Sequence, residues 1–304
     1  MRISLALCLG LVVGCGSSHP SGFTATDDGG TTDDSGFPTD DGGGAFKDGG
    51  TTDSGNGDCS DASKFVYLLT NNNDLYSFDP GTLALKKIGT LDCPTASSAN
   101  SMAVDRNALA YVNMSDGSLF TVNTQNAHCS ATSYALGQQG RTIRGMGFSA
   151  DTNGGTAETL YTCTNNGLGG GGLAKIALPG YTLSTIGDYT NGLAGSECEL
   201  TGTGDARLFG FFALSSPTKL AEITKTTAAT ATSVTLSSVP TASAYAFSFW
   251  GGDFWFYTSN GFTNSQITRY RYSTNKSFSV VVQNAGMIIV GAGVSTCAPL
   301  IAPN

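Results

Sequence analysis

The chain is short of charge and shorter still of histidine. Of 304 residues only 12% are charged and two are His, so a metal centre or catalytic triad built on imidazole has almost no material. Lys, Glu and Leu are too few for a helix bundle or coiled coil. No C-x2-C pair is present, which leaves a four-cysteine zinc site without its usual scaffold. A mean hydropathy of −0.01 excludes a multi-span helical membrane protein. What the chain does have is 41 Gly, much Ser, Thr and Asn, and eight Cys. That is the vocabulary of turns and short strands.

Charge is unevenly placed. Residues 16–58 hold nine Asp and one Lys, whereas residues 59–304 hold 13 Lys and Arg against 14 Asp and Glu. The net charge of −8 therefore belongs to the N-terminal tract, and the body is nearly neutral. With no basic stripe, a nucleic-acid partner is not expected.

The first 15 residues read MRISLALCLGLVVGC. One positive charge, Arg2, precedes an apolar run too short to span a bilayer but suited to a secretory signal. Its end, Val12-Val13-Gly14-Cys15, resembles the lipobox of bacterial lipoproteins. The resemblance implies cleavage after Gly14, a signal peptide of residues 1–14 and diacylglycerol on Cys15. It places the protein in the cell envelope, lipid-anchored, with Gly16 favouring the outer membrane. Residues 15–58 then form a linker in which DGGTTD occurs twice, at 28–33 and 48–53. Nothing apolar there offsets ordering entropy, so disorder is expected. A flexible coil of this length spans roughly 36 Å. The Asp pairs match neither the EF-hand spacing nor the GGxGxD repeat, and the tract reads as a spacer.

Residues 59–304 carry five related segments. Each has an aromatic and β-branched strand: FVYLLT, LAYVN, TLYTC, RLFGFF and FWFYT. Aligned on Tyr67, Tyr111, Tyr161, Phe209 and Phe256, they are spaced by 44, 50, 48 and 47 residues. A polar turn and a second strand follow each, then a weaker third strand (ALKKIGTL, ATSYAL, TLSTIGDY, TSVTLSS, FSVVVQ). In four segments another strand precedes the aromatic one: SMAVD, GMGFS, CELTG and AFSFW. Four strands per repeat of 40–50 residues define the blade of a β-propeller. The phrases SDGSLFTVNT, TGTGDARLFGF and NNDLYSFDPGTL resemble the blades of bacterial YVTN- and NHL-like propellers. That group has many functions, so the resemblance implies a fold and no activity.

The first segment lacks its preceding strand, and the chain ends in an unmatched one, MIIVGAGVSTC. The expectation is an all-β, five-bladed propeller in which Ile288–Ser295 completes the first blade, because a ring left open would expose sheet edges. Six cysteines remain in this domain. Cys59 and Cys297 flank the two strands that must meet, so a bond between them would staple the ring. The chain model assigns such a closure on the order of 4–5 kcal/mol. Cys93–Cys129 and Cys163–Cys198 follow only from nearness in sequence.

Chemistry has few candidates. His128 sits in a turn. GLGGGG (167–172) lacks the Lys-Ser/Thr and helix of a phosphate loop and reads as a hairpin tip. The binding face of a propeller is its channel mouth, lined by the loops entering the innermost strands. Those carry Ser101, Arg141, Arg144, Glu197, Glu199 and Tyr245. Glu197 and Glu199, two apart at a strand start, share a face. Together with the two guanidiniums they suit a polar ligand, or they bridge blades structurally. The expected function is a non-catalytic binding or scaffold propeller, monomeric and without cofactor, recognising a protein or glycan. The alternative is a carbohydrate-active hydrolase, since five-bladed propellers include glycosidases with carboxylates at this mouth. Those enzymes take an Asp and a Glu from different blades, unlike the adjacent pair found here.

Overall fold

The computed structural model describes residues 59–167 and 171–303. Cys15, the expected signal peptide, the expected Asp-rich linker and residues 168–170 of the glycine run lie outside the described residues. The strands fall into five antiparallel sheets. The first contains β1 (Val66–Thr70), β2 (Asp74–Asp79) and β3 (Ala84–Thr90). The second is β4 (Ala99–Val104), β5 (Leu109–Met114), β6 (Leu119–Asn123) and β7 (Cys129–Ala131). The third is β8 (Thr142–Ala150), β9 (Glu158–Asn165), β10 (Gly171–Ala177) and β11 (Thr182–Gly187). The fourth is β12 (Glu199–Gly202), β13 (Leu208–Phe212), β14 (Lys219–Ile223) and β15 (Thr230–Thr235). The fifth is β16 (Ala244–Trp250), β17 (Asp253–Ser259), β18 (Gln266–Tyr270) and β19 (Phe278–Val282). The last strand, β20 (Ile289–Val294), returns to the first sheet, whose order is β20-β1-β2-β3. This is a five-bladed β-propeller closed by its C-terminal strand.

The register of closure pairs Val66 with Val294, Tyr67 with Gly293 and Leu68 with Ala292. Cys59–Cys297 joins the two chain segments beyond this pair, across a sequence separation of 238 residues. Cys93–Cys129 and Cys163–Cys198 are also bonded, at separations of 36 and 35. The buried Tyr189 hydroxyl lies between both sulfurs of the latter bond, 3.1 Å from Cys163 Sγ and 3.3 Å from Cys198 Sγ.

The aromatic runs are the second strands of the blades, and packing explains their composition. Such a strand is covered on both faces by neighbouring blades, so it does not alternate. Every residue of β1, β13 and β17 is buried. The outer strands β3 and β15 are largely open to solvent and read accordingly as polar. Five apolar clusters fill the five gaps between adjacent blades. The gap between the fourth and fifth blades is mostly aromatic: Phe209 and Phe254 meet edge to face at 4.8 Å, as do Phe211 and Phe256. Each such contact contributes about 0.5–1.5 kcal/mol beyond burial. One expected strand shifts: in the second blade the outermost strand is the short β7, not ATSYAL. The Thr132 hydroxyl bonds the Leu119 carbonyl and accepts the Tyr134 N–H, so side-chain bonding replaces the ladder there.

At the axis the innermost strands approach backbone to backbone. A Cβ at Gly145 would collide with the Cys198 carbonyl and the Glu199 Cα, and one at Gly202 would strike the Phe148 carbonyl. Hydroxyls satisfy inner-edge amides. Ser101 Oγ accepts the Met146 N–H at 3.0 Å, and Thr201 Oγ1 accepts the Phe249 N–H at 3.2 Å. The ring is therefore cinched along its axis, and open space remains at its ends.

Candidate functional site

The starts of all five innermost strands converge on one end of the ring. There a cavity of about 240 Å³ is lined by residues that include Ala99, Asn100, Arg144, Glu197, Glu199, Tyr245 and Val290. Four of the mouth residues expected from sequence, Arg144, Glu197, Glu199 and Tyr245, come together in this cavity. Ser101 lies beneath it, fully buried. Arg141 does not line it; it follows a short 3-10 turn (Gln138–Gly140) and is half-buried.

The two carboxylates differ sharply. Glu197 is half-exposed. Its Oε1 accepts a 2.5 Å hydrogen bond from Asn165 Nδ2 and lies 3.4 Å from Arg144 Nε. The Arg144–Glu197 contact is close enough for an ion pair but is not aligned as a hydrogen bond, and Arg144 Nε has no hydrogen-bond partner. Both side chains keep about a quarter to a third of their surface in solvent. They form a loosely held ion pair that a ligand can enter. Glu199, two residues on, is 4% exposed and accepts a 2.8 Å bond from the Ser101 hydroxyl. Burial pushes its carboxyl well above the ordinary range, against the opposing pull of the Ser101 and Met146 bonds. Tyr245 packs edge to face on Phe211 at 6.0 Å, and burial, with Glu199 and Glu197 nearby, raises its phenol.

A second polar cluster was not read from sequence. It lies at the opposite end, where β20 finishes. Arg106 is 6% exposed; its Nη1 donates to Thr296 Oγ1 at 3.3 Å and its Nη2 to Cys59 Sγ at 3.2 Å. Glu158 accepts the Arg106 N–H at 2.9 Å and the Thr296 hydroxyl at 2.7 Å. Burial lifts the Glu158 carboxyl to about 7. These residues come from the second and third blades and from the C-terminal segment, so the cluster ties the closing strand to its neighbours. The turn after Asp105 and the isolated Glu158 gave no signal of this partnership in the sequence. His128, in its turn, bonds Asp92 Oδ2 through Nδ1 at 2.7 Å and is exposed. Among the described residues no group of three or more His, Cys, Asp or Glu is placed to hold a metal ion, and no helix is long and apolar enough to cross a membrane.

No family model matches the chain, and no curated protein matches it. Among solved structures, it is similar to a protein of unknown function from Bacteroides caccae, with 10% identity, 73% of each chain covered and a TM-score of 0.39. A chain of a Mitotic Checkpoint Complex also aligns at 10% identity over 76% of this chain and 78% of that one, TM-score 0.39. The dihydro-heme d1 dehydrogenase NirN, in complex with DHE, aligns at 12% identity over 75% of this chain and 47% of that one, TM-score 0.35. Likenesses at this level carry no argument about what the chain does.

Proposed function

We propose that this chain is a lipid-anchored, non-catalytic binding propeller that presents its channel mouth to a polar protein or glycan ligand at the cell envelope. The lipobox-like Val12-Val13-Gly14-Cys15 and the Asp-rich linker support the anchor; they are features of the sequence, with a YVTN/NHL-like origin as the accompanying reading of the blades. One observation carries the binding role. The loosely held Arg144–Glu197 pair opens on a cavity at the convergence of all five inner strands. Ligand groups of either sign can displace one partner of such a half-solvated pair at little cost. Screening the full chain against glycan and envelope-protein arrays tests this. A ligand whose binding is lost in Glu197→Gln supports the mouth; a ligand indifferent to that change rejects it.

A glycosidase reading has one observation in its favour: two carboxyl groups line one cavity, and burial pushes that of Glu199 well above the ordinary range, the direction a general acid needs. Against it, Glu199 is almost wholly covered and committed to Ser101. Hydrolysis of the array ligand that disappears in Glu199→Gln would establish the enzyme; intact recovery of that ligand supports binding alone.

A further inference from the structure

A second cavity, of about 360 Å³, lies on the fifth blade at the same end of the ring. The segment 240–242 lines it and the next three residues, Ser243 to Tyr245, line the mouth, so the two openings adjoin. Its volume falls within the range of small-ligand sites. No ionisable side chain lines it. Instead the wall is made of amides and hydroxyls, chiefly Asn260, Asn264, Gln266, Gln283 and Asn284, with Thr258 at the back.

Two features mark this as more than a polar dent. Thr258 is 3% exposed, lines the cavity, and its Oγ1 is buried with no hydrogen-bond partner. Such a hydroxyl costs stability unless something enters to meet it. Between Asn260 and Thr263, Phe262 stands 94% exposed at the tip of the loop that forms the wall. The loop holds it out by design of its own bonds. Asn260 Oδ1 accepts the N–H groups of Phe262 and Thr263, and Ser259 Oγ accepts the Gly261 N–H. Gly261, at φ +87°, supplies the left-handed turn that a side chain would resist.

We infer that this cleft is a binding site for a neutral saccharide. A sugar hydroxyl both donates and accepts, and so does each amide side chain, whereas a carboxylate or ammonium offers only one role. An uncharged lining gives no pull on an ionic ligand. The apolar C–H face of a pyranose ring is matched by an exposed aromatic ring, which supplies area at small entropic cost. The site stands on the residues of the cleft and does not depend on the mouth.

The test titrates the full chain with tetrasaccharides of glucose, mannose, galactose and N-acetylglucosamine, with tetragalacturonate as the charged comparator, by calorimetry and saturation-transfer NMR. At least one neutral member should bind and the uronate should not. Phe262→Ala should weaken binding about tenfold or more, equivalent to about 1.4 kcal/mol, with the melting temperature unchanged. Thr258→Val removes the orphan hydroxyl while keeping the shape. It should leave the melting temperature equal or higher and lower the affinity, a combination that a hydroxyl of purely structural use would reverse. Arg144→Gln, at the mouth, should leave this binding intact, so a failure here is distinct from a failure at the mouth. The inference is overturned by any of three results: no neutral member binding at about 10 mM, equal binding of the uronate, or affinities unaffected by both cleft variants.

Discussion

The three disulfides close loops of very different size, and this makes a ranking that can be measured. Replacing Cys59 and Cys297 by Ala leaves β20 paired with β1 through the register Val66–Val294 to Leu69–Gly291. The folded ring therefore stays whole, and the main loss is the constraint on the unfolded chain. With separations of 238 residues for Cys59–Cys297 and 36 for Cys93–Cys129, the logarithmic dependence on loop length makes the ring-closing bond more stabilising by about 1.7 kcal/mol. The Cys59 sulfur also accepts from Arg106 Nη2, so its removal leaves a buried guanidinium hydrogen without that partner and widens the gap. Urea unfolding of the two double-Ala variants, with m-values checked for equality, reads the difference directly. In a thermal scan it corresponds to roughly 3–7 °C for a domain of this size. A Cys93/Cys129 variant as unstable as the Cys59/Cys297 variant, or more so, would refute the reasoning that the long closure is what the terminal cysteines supply.

Glu158 sets a pH dependence. Its folded pKa, about 7, lies above the ordinary 4.5, so its contribution to stability is complete below 4.5 and is lost as pH rises through 7. Partial exposure holds the effect to about 1–2 kcal/mol, and Glu158→Gln should flatten the denaturation curve between pH 5 and 8 by that amount; an unaltered slope would place the titrating group elsewhere. Because burial favours the neutral form of the Glu199 carboxyl, Glu199→Gln should cost less than about 1 kcal/mol, whereas Glu199→Ala strands the Ser101 hydroxyl and opens a void, costing about 2–4 kcal/mol. Equal losses in the two variants, by chemical denaturation, would show that the charge itself is needed. For the proposed anchor, Cys15→Ser should abolish palmitate labelling and release the chain from membranes; retention would mean another attachment.

Much of the fold was legible because each blade's second strand is buried on both faces and so repeats as an unbroken aromatic run. Tyr67, Tyr111, Tyr161, Phe209 and Phe256 mark it in every blade. Closure was legible from the unmatched strand at the end, and the Cys59–Cys297 bond from the same argument. The outermost strands carry weaker signals since they lie at the solvent edge, which is why β7 falls at Cys129–Ala131 and not at ATSYAL. At the mouth, position could be read and environment could not. Glu197 and Glu199 occupy neighbouring places in one segment, yet their burial is set by a serine 98 residues away and by how closely Gly145 lets β8 approach β12. Arg141 looked equivalent to Arg144 until the turn before β8 carried it away from the cavity. The uncharged cleft around Thr258 has no motif at all: its lining comes from four separate segments that only the closed blade brings together.

The claim that the channel mouth is the recognition surface is tested most directly by one comparison. The full chain and its Arg144→Gln/Glu197→Gln variant, in which a neutral polar pair replaces the ion pair, are titrated against the ligand found by array screening, with melting temperature measured alongside. Because the pair is half-solvated, its neutral replacement should shift stability by less than about 1 kcal/mol. Affinity should fall at least tenfold. Unchanged affinity with unchanged melting would contradict the account and move recognition away from the mouth.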